Sequence, residues 1–337
     1  MPILVTGGAG YIGSVTVELL RRRGEEVVVA DDLVRGHSEA LPADVPLEIG
    51  DLTDSAFVRR IADRYSPDAV LHFAACSQVG ESMRDPGLYF RNNLGGVLQL
   101  LEALSPQGNL RFILSSTAAT YGAPAETPIR ETAPAAPTNP YGESKWMCER
   151  LLRWYGLVHG VRWISLRYFN AAGATVSCGE DHEPETHLIP LALAAVAPTE
   201  NPLSVFGLDY PTPDGTCIRD YVHVEDLAAA HVLALDRLAV ESGEIFNLGN
   251  GLGFSVLEVV SAVERVTGRT VAWQAGPRRE GDPARLVASS ERARDVLGWR
   301  PAHSDLDEIV RSAWEWRRAH PRGYEDRRPL DAQEDGR

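Results

Sequence analysis

The amino-acid sequence predicts an α/β protein in which a doubly wound parallel sheet is covered by helices on both faces and carries a smaller α/β unit. Three observations support this: short β-branched runs alternate with helical stretches, a glycine turn joins the first run to the first helix, and the chain becomes rich in Pro and Gly beyond about Ala171. The runs Ile3 to Thr6, Glu26 to Ala30, Ala69 to Phe73 and Arg111 to Ser115 are predicted strands. The stretches Tyr11 to Arg23, Phe57 to Tyr65 and Asn93 to Leu104 are predicted helices between them. Strand and helix alternating at this spacing give parallel strands with crossover helices.

This divides the chain into a nucleotide-binding unit at 1–169, to which 222–250 is expected to return, a second unit at 170–221 and 251–320, and a tail at 321–337. The segments AAGATVSCGEDHEPETHLIP and FGLDYPTPDGTCIRD belong to the second unit, where loops are expected to carry ligand contacts.

A chain of 337 residues, 44% hydrophobic and 24% charged, has the composition of a soluble protein with room for a large core. No apolar run approaches the roughly 18 residues of a membrane span. MPILVTGGAG enters a strand at once, without a basic leader or apolar region, so a cytoplasmic location is expected. Cys76, Cys148, Cys178 and Cys217 lack paired spacing, which argues for buried thiols over a disulfide framework or a zinc site. A net charge of −14 disfavours nucleic acid and anionic membrane as partners, so a phosphate-bearing ligand needs local donors.

The turn TGGAGYIG sets Gly7, Gly10 and Gly13 in a GxxGxxG pattern, with Tyr11 and Ile12 between the last two. It follows the strand ILVT and opens a helix, and the next strand, EVVVAD, ends in Asp31. In this setting glycines let the backbone approach a pyrophosphate seated on the helix start, and an acid on the second strand accepts bonds from adenosine ribose hydroxyls. Asp31 would also repel a 2'-phosphate, which selects NAD over NADP. Asp51, beside Leu52 in EIGDLTD, fits either a contact to the adenine edge or a helix cap.

Among the 33 basic residues one is lysine, Lys145 in YGESK. TNPYGESK reads as a helix start, with Asn139 as cap and Pro140 in the first position. Tyr141 and Lys145 then lie one turn apart on one face. An ammonium beside a phenol favours the phenolate, which predicts a Tyr141 pKa below the ordinary value of about 10 and a general base. Lysine suits this place because its compact charge and three donors reach ribose hydroxyls that a planar guanidinium fits less well. Upstream, FILSSTAATYG ends a strand with Ser115, Ser116 and Thr117, where a doubly wound sheet binds ligands.

These motifs together resemble extended short-chain dehydrogenase/reductases. Further downstream HFAA, VGES, LRYFNAAGA, GEDHEPETHLIP, FGLDYPTPDGTCIRDYVHVEDLAAAH, FNLG, RREGDPA and LGW are similar to UDP-glucose 4-epimerases, from about residue 2 to 320. The resemblance implies a Rossmann-type nucleotide-binding unit, NAD as cofactor, a UDP-sugar substrate and a homodimer formed through helices near Asn93 to Leu104 and Tyr141 to Trp154. It implies Thr117, Tyr141 and Lys145 as catalytic residues. Phe73, Ala74, Ala75, Asn93, Ser115 and Tyr168 would border the cofactor, joining the glycine-turn residues, Asp31, Asp51 and Leu52. Asn170, His187, Leu188, Phe206, Arg219, Arg279 and Asp282 would hold the nucleotide diphosphate and its ribose. The plainer alternatives are an Arg219 ion pair with Asp220 and a solvated turn at Arg278 to Asp282.

The chain departs from the family at three places. Ser77 stands where some members have Lys, and His187 where others have Asn. Leu286 replaces a large aromatic, which would leave room for a 2-acetamido group on the sugar. His182 and His187 lack a spaced third partner, so no metal is expected. The implied reaction is 4-epimerisation of UDP-glucose and UDP-galactose through a transient 4-keto sugar, or of another UDP- or dTDP-sugar. A 4,6-dehydratase needs further acid and base groups where Ala118 and Ala119 stand. A nonenzymatic NAD-sensing module on the same fold would lack Tyr141 or Lys145, and both are present.

Overall fold

The computed structural model describes residues 1–197, 201–279 and 282–327. Its centre is a seven-stranded sheet of β1 (Ile3–Thr6), β2 (Val27–Asp31), β3 (Leu47–Ile49), β4 (Ala69–His72), β5 (Arg111–Thr117), β6 (Arg162–Tyr168) and β7 (Glu244–Leu248). The spatial order is β7, β6, β5, β4, β1, β2, β3, with every pairing parallel. Because β1 lies between β2 and β4, the winding reverses there, and a crevice opens beyond the carboxyl ends of β1 and β4.

Successive side chains of a strand face opposite ways, and each face has its own core. Val5, Val29, Leu71, Ile113 and Ile164 face one core, while Leu4, Val28, Val70, Phe112 and Leu114 face the other. Helices α1 (Tyr11–Arg22) and α6 (Val224–Arg237) cover the first face, and α2 (Ser55–Tyr65), α3 (Gly95–Leu104) and α4 (Pro140–His159) the second. Helix α4 begins as its residues predict: Asn139 Oδ1 accepts from the Gly142 amide at 2.9 Å, and Pro140 follows the cap. It ends at Gly160, whose φ of 70° suits glycine.

A separate apolar cluster lies beyond residue 170. Helices α5 (Leu188–Ala194), α7 (Val256–Thr267) and α8 (Leu306–Ala319) contribute Ile189, Leu193, Val259, Val263 and Ile309 to it. Three small sheets frame this region. Asn170–Ala172 pairs with Tyr221–His223, Leu203–Phe206 with Trp273–Gly276, and Ile218–Arg219 with both Phe254–Ser255 and Arg285–Leu286. The chain returns to the large sheet through α6 and β7. Residues 321–327, expected in a tail, are folded. Gly323–Arg327 forms a 3-10 turn, and Tyr324 is buried against Trp316 with its hydroxyl receiving the Gly179 amide at 3.0 Å. An aromatic ring within a charged stretch is enough to anchor it.

Candidate active site

The glycine turn closes the crevice because no side chain would fit. Gly7 has φ +69°, and a Cβ on it would lie 2.4 Å from the Ala74 amide nitrogen at the end of β4. A Cβ on Gly13 would lie 2.2 Å from the Gly7 carbonyl oxygen. Turn, helix start and β4 are therefore packed backbone to backbone. Helix α1 starts at Gly10 with no side-chain cap, which leaves its first amides for a ligand. Tyr11 points away, its hydroxyl donating to the Gly173 carbonyl, and Ile12 packs into the apolar core.

Asp31, at the end of β2, is buried; its carboxylate accepts from the amides of Ala9 at 3.0 Å and Leu33 at 2.9 Å. Burial pushes its pKa up, and those two bonds oppose the rise. Asp51 is exposed and accepts from Thr53, with Leu52 buried beside it. The cap of α2 is Asp54.

At the end of β5, Thr117 lies in register with Tyr168 of β6. The Thr117 side chain faces the Tyr141 phenol and favours its ionised form. One turn along α4, Lys145 is buried, and its ammonium donates to the Ser115 carbonyl at 2.8 Å. The sequence expectation of a depressed Tyr141 pKa does not hold. Burial pushes it up, and the Thr117 side chain only partly offsets this. Burial also pulls Lys145 down to about 8, because an ammonium loses hydration there that one carbonyl does not replace.

Asn93 serves the site indirectly. Its side chain accepts from the Cys76 amide at 2.8 Å and donates to the Cys76 carbonyl at 3.0 Å and to Ser144 Oγ at 2.9 Å. It ties the loop after β4, which holds Phe73, Ala74, Ala75 and Ser77, to α4 at Ser144. The sequence reading missed the groups behind this face. Tyr168 contacts Ser115 Oγ and lies 2.7 Å from Nε2 of buried His231, whose Nδ1 donates to the Leu227 carbonyl at 2.8 Å. That last bond fixes the tautomer, so Nε2 accepts from Tyr168, and burial holds the His231 pKa down to about 4. Deeper still, Glu149 accepts from Ser116, Ser165 and Arg167. A lone His among alanines on α6 gives no sequence signal of this kind.

The substrate candidates fall into connected groups. Arg219 is buried and pairs with Asp282, not Asp220. Asp220 instead accepts the amides of Asn250 at 2.7 Å, Gly251 at 2.9 Å and Ala288 at 3.0 Å, and its own carbonyl receives the Asn170 amide at 2.9 Å. Leu286 is the strand neighbour of Arg219. Arg279 lies 4.3 Å over Phe206, and Arg278 is 4.3 Å over Tyr210 while bonding Asp209, so this turn is anchored on aromatic faces. Glu280 and Gly281 lie outside the described residues. Leu188 opens α5, but His187 turns to Glu180 and Glu185. Those acids supply the partners whose apparent lack argued against a metal, and they are visible only once the loop is folded.

The model of the NAD dependent epimerase/dehydratase family matches residues 3–249. The chain belongs to that family. A curated member, a UDP-glucose 4-epimerase of Lacticaseibacillus casei, is 50% identical over 330 residues, covering 97% of this chain and 100% of the relative. Among solved structures, the UDP-glucose 4-epimerase from Brucella ovis in complex with NAD is 46% identical with a TM-score of 0.89, covering 93% of this chain and 97% of that one. The enzyme from Bifidobacterium longum in complex with NAD+ and UDP is 36% identical with a TM-score of 0.90, covering 96% and 100%. The matches thus cover both the large sheet and the apolar cluster beyond residue 170.

Proposed function

We propose that this protein is a UDP-glucose 4-epimerase that interconverts UDP-glucose and UDP-galactose with NAD as cofactor. The observation that carries the reading is Tyr141 and the buried Lys145, one turn apart on α4 and facing Thr117 and the Ser115 carbonyl at the end of β5, beside a crevice whose glycines leave room only for backbone. NAD fits that crevice: the uncapped amides of α1 would hold its pyrophosphate, and the Asp31 carboxylate would accept from its adenosine ribose. When bound, NAD would supply a reversible hydride acceptor for the sugar C4.

The chain's own residues handle protons and position. Tyr141 takes the proton from the sugar 4-hydroxyl as the 4-keto sugar forms and gives it back when C4 is reduced. Thr117 hydrogen-bonds the same oxygen. Lys145 would hold the nicotinamide ribose through its hydroxyls and favour the phenolate, and Tyr168 would border the nicotinamide. Arg219, Arg279, Asp282, Asn170, Leu188 and Phe206 grip the nucleotide, which leaves the hexose free to turn over. The two-unit division at about residue 170 separates these tasks, with the redox end in the large sheet and the nucleotide grip in the second unit.

Incubation with UDP-galactose and no added NAD, followed by separation of the sugars, tests the reading. UDP-glucose should appear without net NADH; absence of interconversion in the NAD-loaded protein would refute it. Among the described residues no helix is long and apolar enough to cross a membrane, and all four cysteines are free, which supports a cytoplasmic enzyme. Trp154, Leu157 and Val158 are exposed along α4, and this apolar stripe supports a homodimer. Sedimentation should give a dimer, and Leu157→Glu a monomer.

A further inference from the structure

The loop between the strand Asn170–Ala172 and α5 gathers four side chains onto one point. Glu180, His182, Glu185 and His187 each offer a ligand atom, and these atoms all lie within 4.8 Å of one another. His187 Nδ1 is 2.6 Å from Glu180 Oε1 and 3.0 Å from Glu185 Oε1, and His182 Nδ1 is 3.3 Å from the same Glu180 oxygen. We propose that these residues form a tetrahedral zinc site that positions the loop entering α5.

The donor set is the first reason. Two imidazoles and two carboxylates suit zinc, which bonds nitrogen and oxygen at about 2.0–2.2 Å, so tetrahedral ligand atoms lie roughly 3.3–3.5 Å apart. The separations of 3.0 and 3.3 Å lie within a few tenths of an ångström of that range, and the His187–Glu180 contact of 2.6 Å has to open by about 0.7–0.9 Å. The second reason is His182: its Nδ1 is buried and faces Glu180 without an aligned hydrogen-bond partner. A nitrogen in that state needs a proton or a cation between it and the carboxylate. The third is support for the ligands. Glu185 Oε1 already accepts from the Thr186 amide at 2.6 Å and the His187 amide at 2.7 Å, which fixes its aim.

The cluster of His223, Glu225 and His303 shows the contrast. There His223 Nδ1 accepts from the Glu225 amide at 3.2 Å, its Nε2 meets Ser312 at 3.1 Å, and His303 Nδ1 meets Glu308 at 2.6 Å. No buried nitrogen of His223 or His303 is left without a partner there, as His182 Nδ1 is in the first cluster.

The location gives the zinc a positioning role. His187 is the cap residue of α5 and makes no side-chain cap bond of its own, while His182 stands edge-on to Tyr11 of the glycine turn at 6.4 Å. Asp181, within the loop, accepts from the Tyr324 amide at 2.9 Å, and its carbonyl meets His37 Nε2 at 2.8 Å. A metal at this point would join the first nucleotide-binding turn to the start of the substrate helix.

The test is direct cobalt binding by the full-length protein after dialysis against a chelator. Co2+ should bind one to one with the intense visible absorption of a tetrahedral site, and Zn2+ should displace it. His182→Ala and Glu185→Gln should each weaken uptake at least tenfold while circular dichroism and retained NAD stay unchanged. Absence of the tetrahedral spectrum would mean that a protonated His187 alone bridges the acids, and it overturns the proposal. Equal uptake in wild type and both variants would place the metal elsewhere and overturn it as well. Because metal uptake is the readout, the result does not depend on the epimerase reading.

Discussion

Lys145 is the one ammonium among guanidinium groups, and its environment is costly. Burial lowers its pKa from 10.5 to about 8, so the unfolded chain binds the proton more tightly. The penalty is fully present below about pH 8, and stability rises as pH climbs from there toward the unfolded value. At about 1.36 kcal/mol per unit the penalty is at most ~3 kcal/mol, and the bond to Ser115 returns about 1 kcal/mol of it. Lys145→Met is therefore expected to stabilise the protein at pH 7 by about 1–2 kcal/mol while interconversion falls by about 10²-fold or more. Thermal unfolding at pH 7 and pH 10 checks this, and the gap should shrink at the higher pH. A variant less stable at both would refute the account. The rise of the Tyr141 pKa has the same origin, and it means that the phenolate is formed only when charge from Lys145 and the bound ligands outweighs desolvation.

The glycine turn makes the case at the level of single elements. Gly13 lies inside α1 with ordinary helical backbone, so alanine there faces no conformational strain. The obstacle is contact: a Cβ would lie 2.2 Å from the Gly7 carbonyl and 2.8 Å from the Gly8 Cα. Gly13→Ala should push the turn outward and empty the protein of NAD, read as loss of cofactor released on denaturation, while circular dichroism persists. Full retention of NAD would show that the close packing is not required.

The sequence revealed this turn, the Asn139 and Pro140 start of α4 and the alternation of strands, because each depends on neighbours within a few residues. It did not reveal the hydrogen bond from Tyr168 to His231, 63 positions on, or the Glu149 to Arg167 pair, 18 apart, because these exist only once β5, β6 and their covering helices meet. Arg219 shows the same limit. Its sequence neighbour Asp220 is the obvious ionic partner, yet strand direction sends successive side chains apart, and the partner is Asp282.

At the scale of the whole molecule, Asp220 is where the two parts are stitched together. One buried carboxylate receives amides from the loop after β7, at Asn250 and Gly251, and from Ala288 beyond the small sheet. Its backbone also holds Asn170, where the chain leaves β6 for the second unit. Burial pushes the Asp220 pKa up, so the charge is penalised, but the three amides have no other acceptor of this shape. Replacement by Asn retains one oxygen and turns an NH2 toward an amide donor. The loss of acceptors should outweigh the relief from desolvation, costing about 1–3 kcal/mol. Gly249 depends on the same group, since a Cβ there would lie 2.4 Å from Asp220 Oδ2. Asp220→Asn and Gly249→Ala should therefore both lower the melting temperature and raise KM for UDP-galactose through displacement of Arg219, with NAD still bound, because the glycine turn is untouched. Unchanged melting temperatures in both variants would show that the parts are held together by their apolar contacts alone.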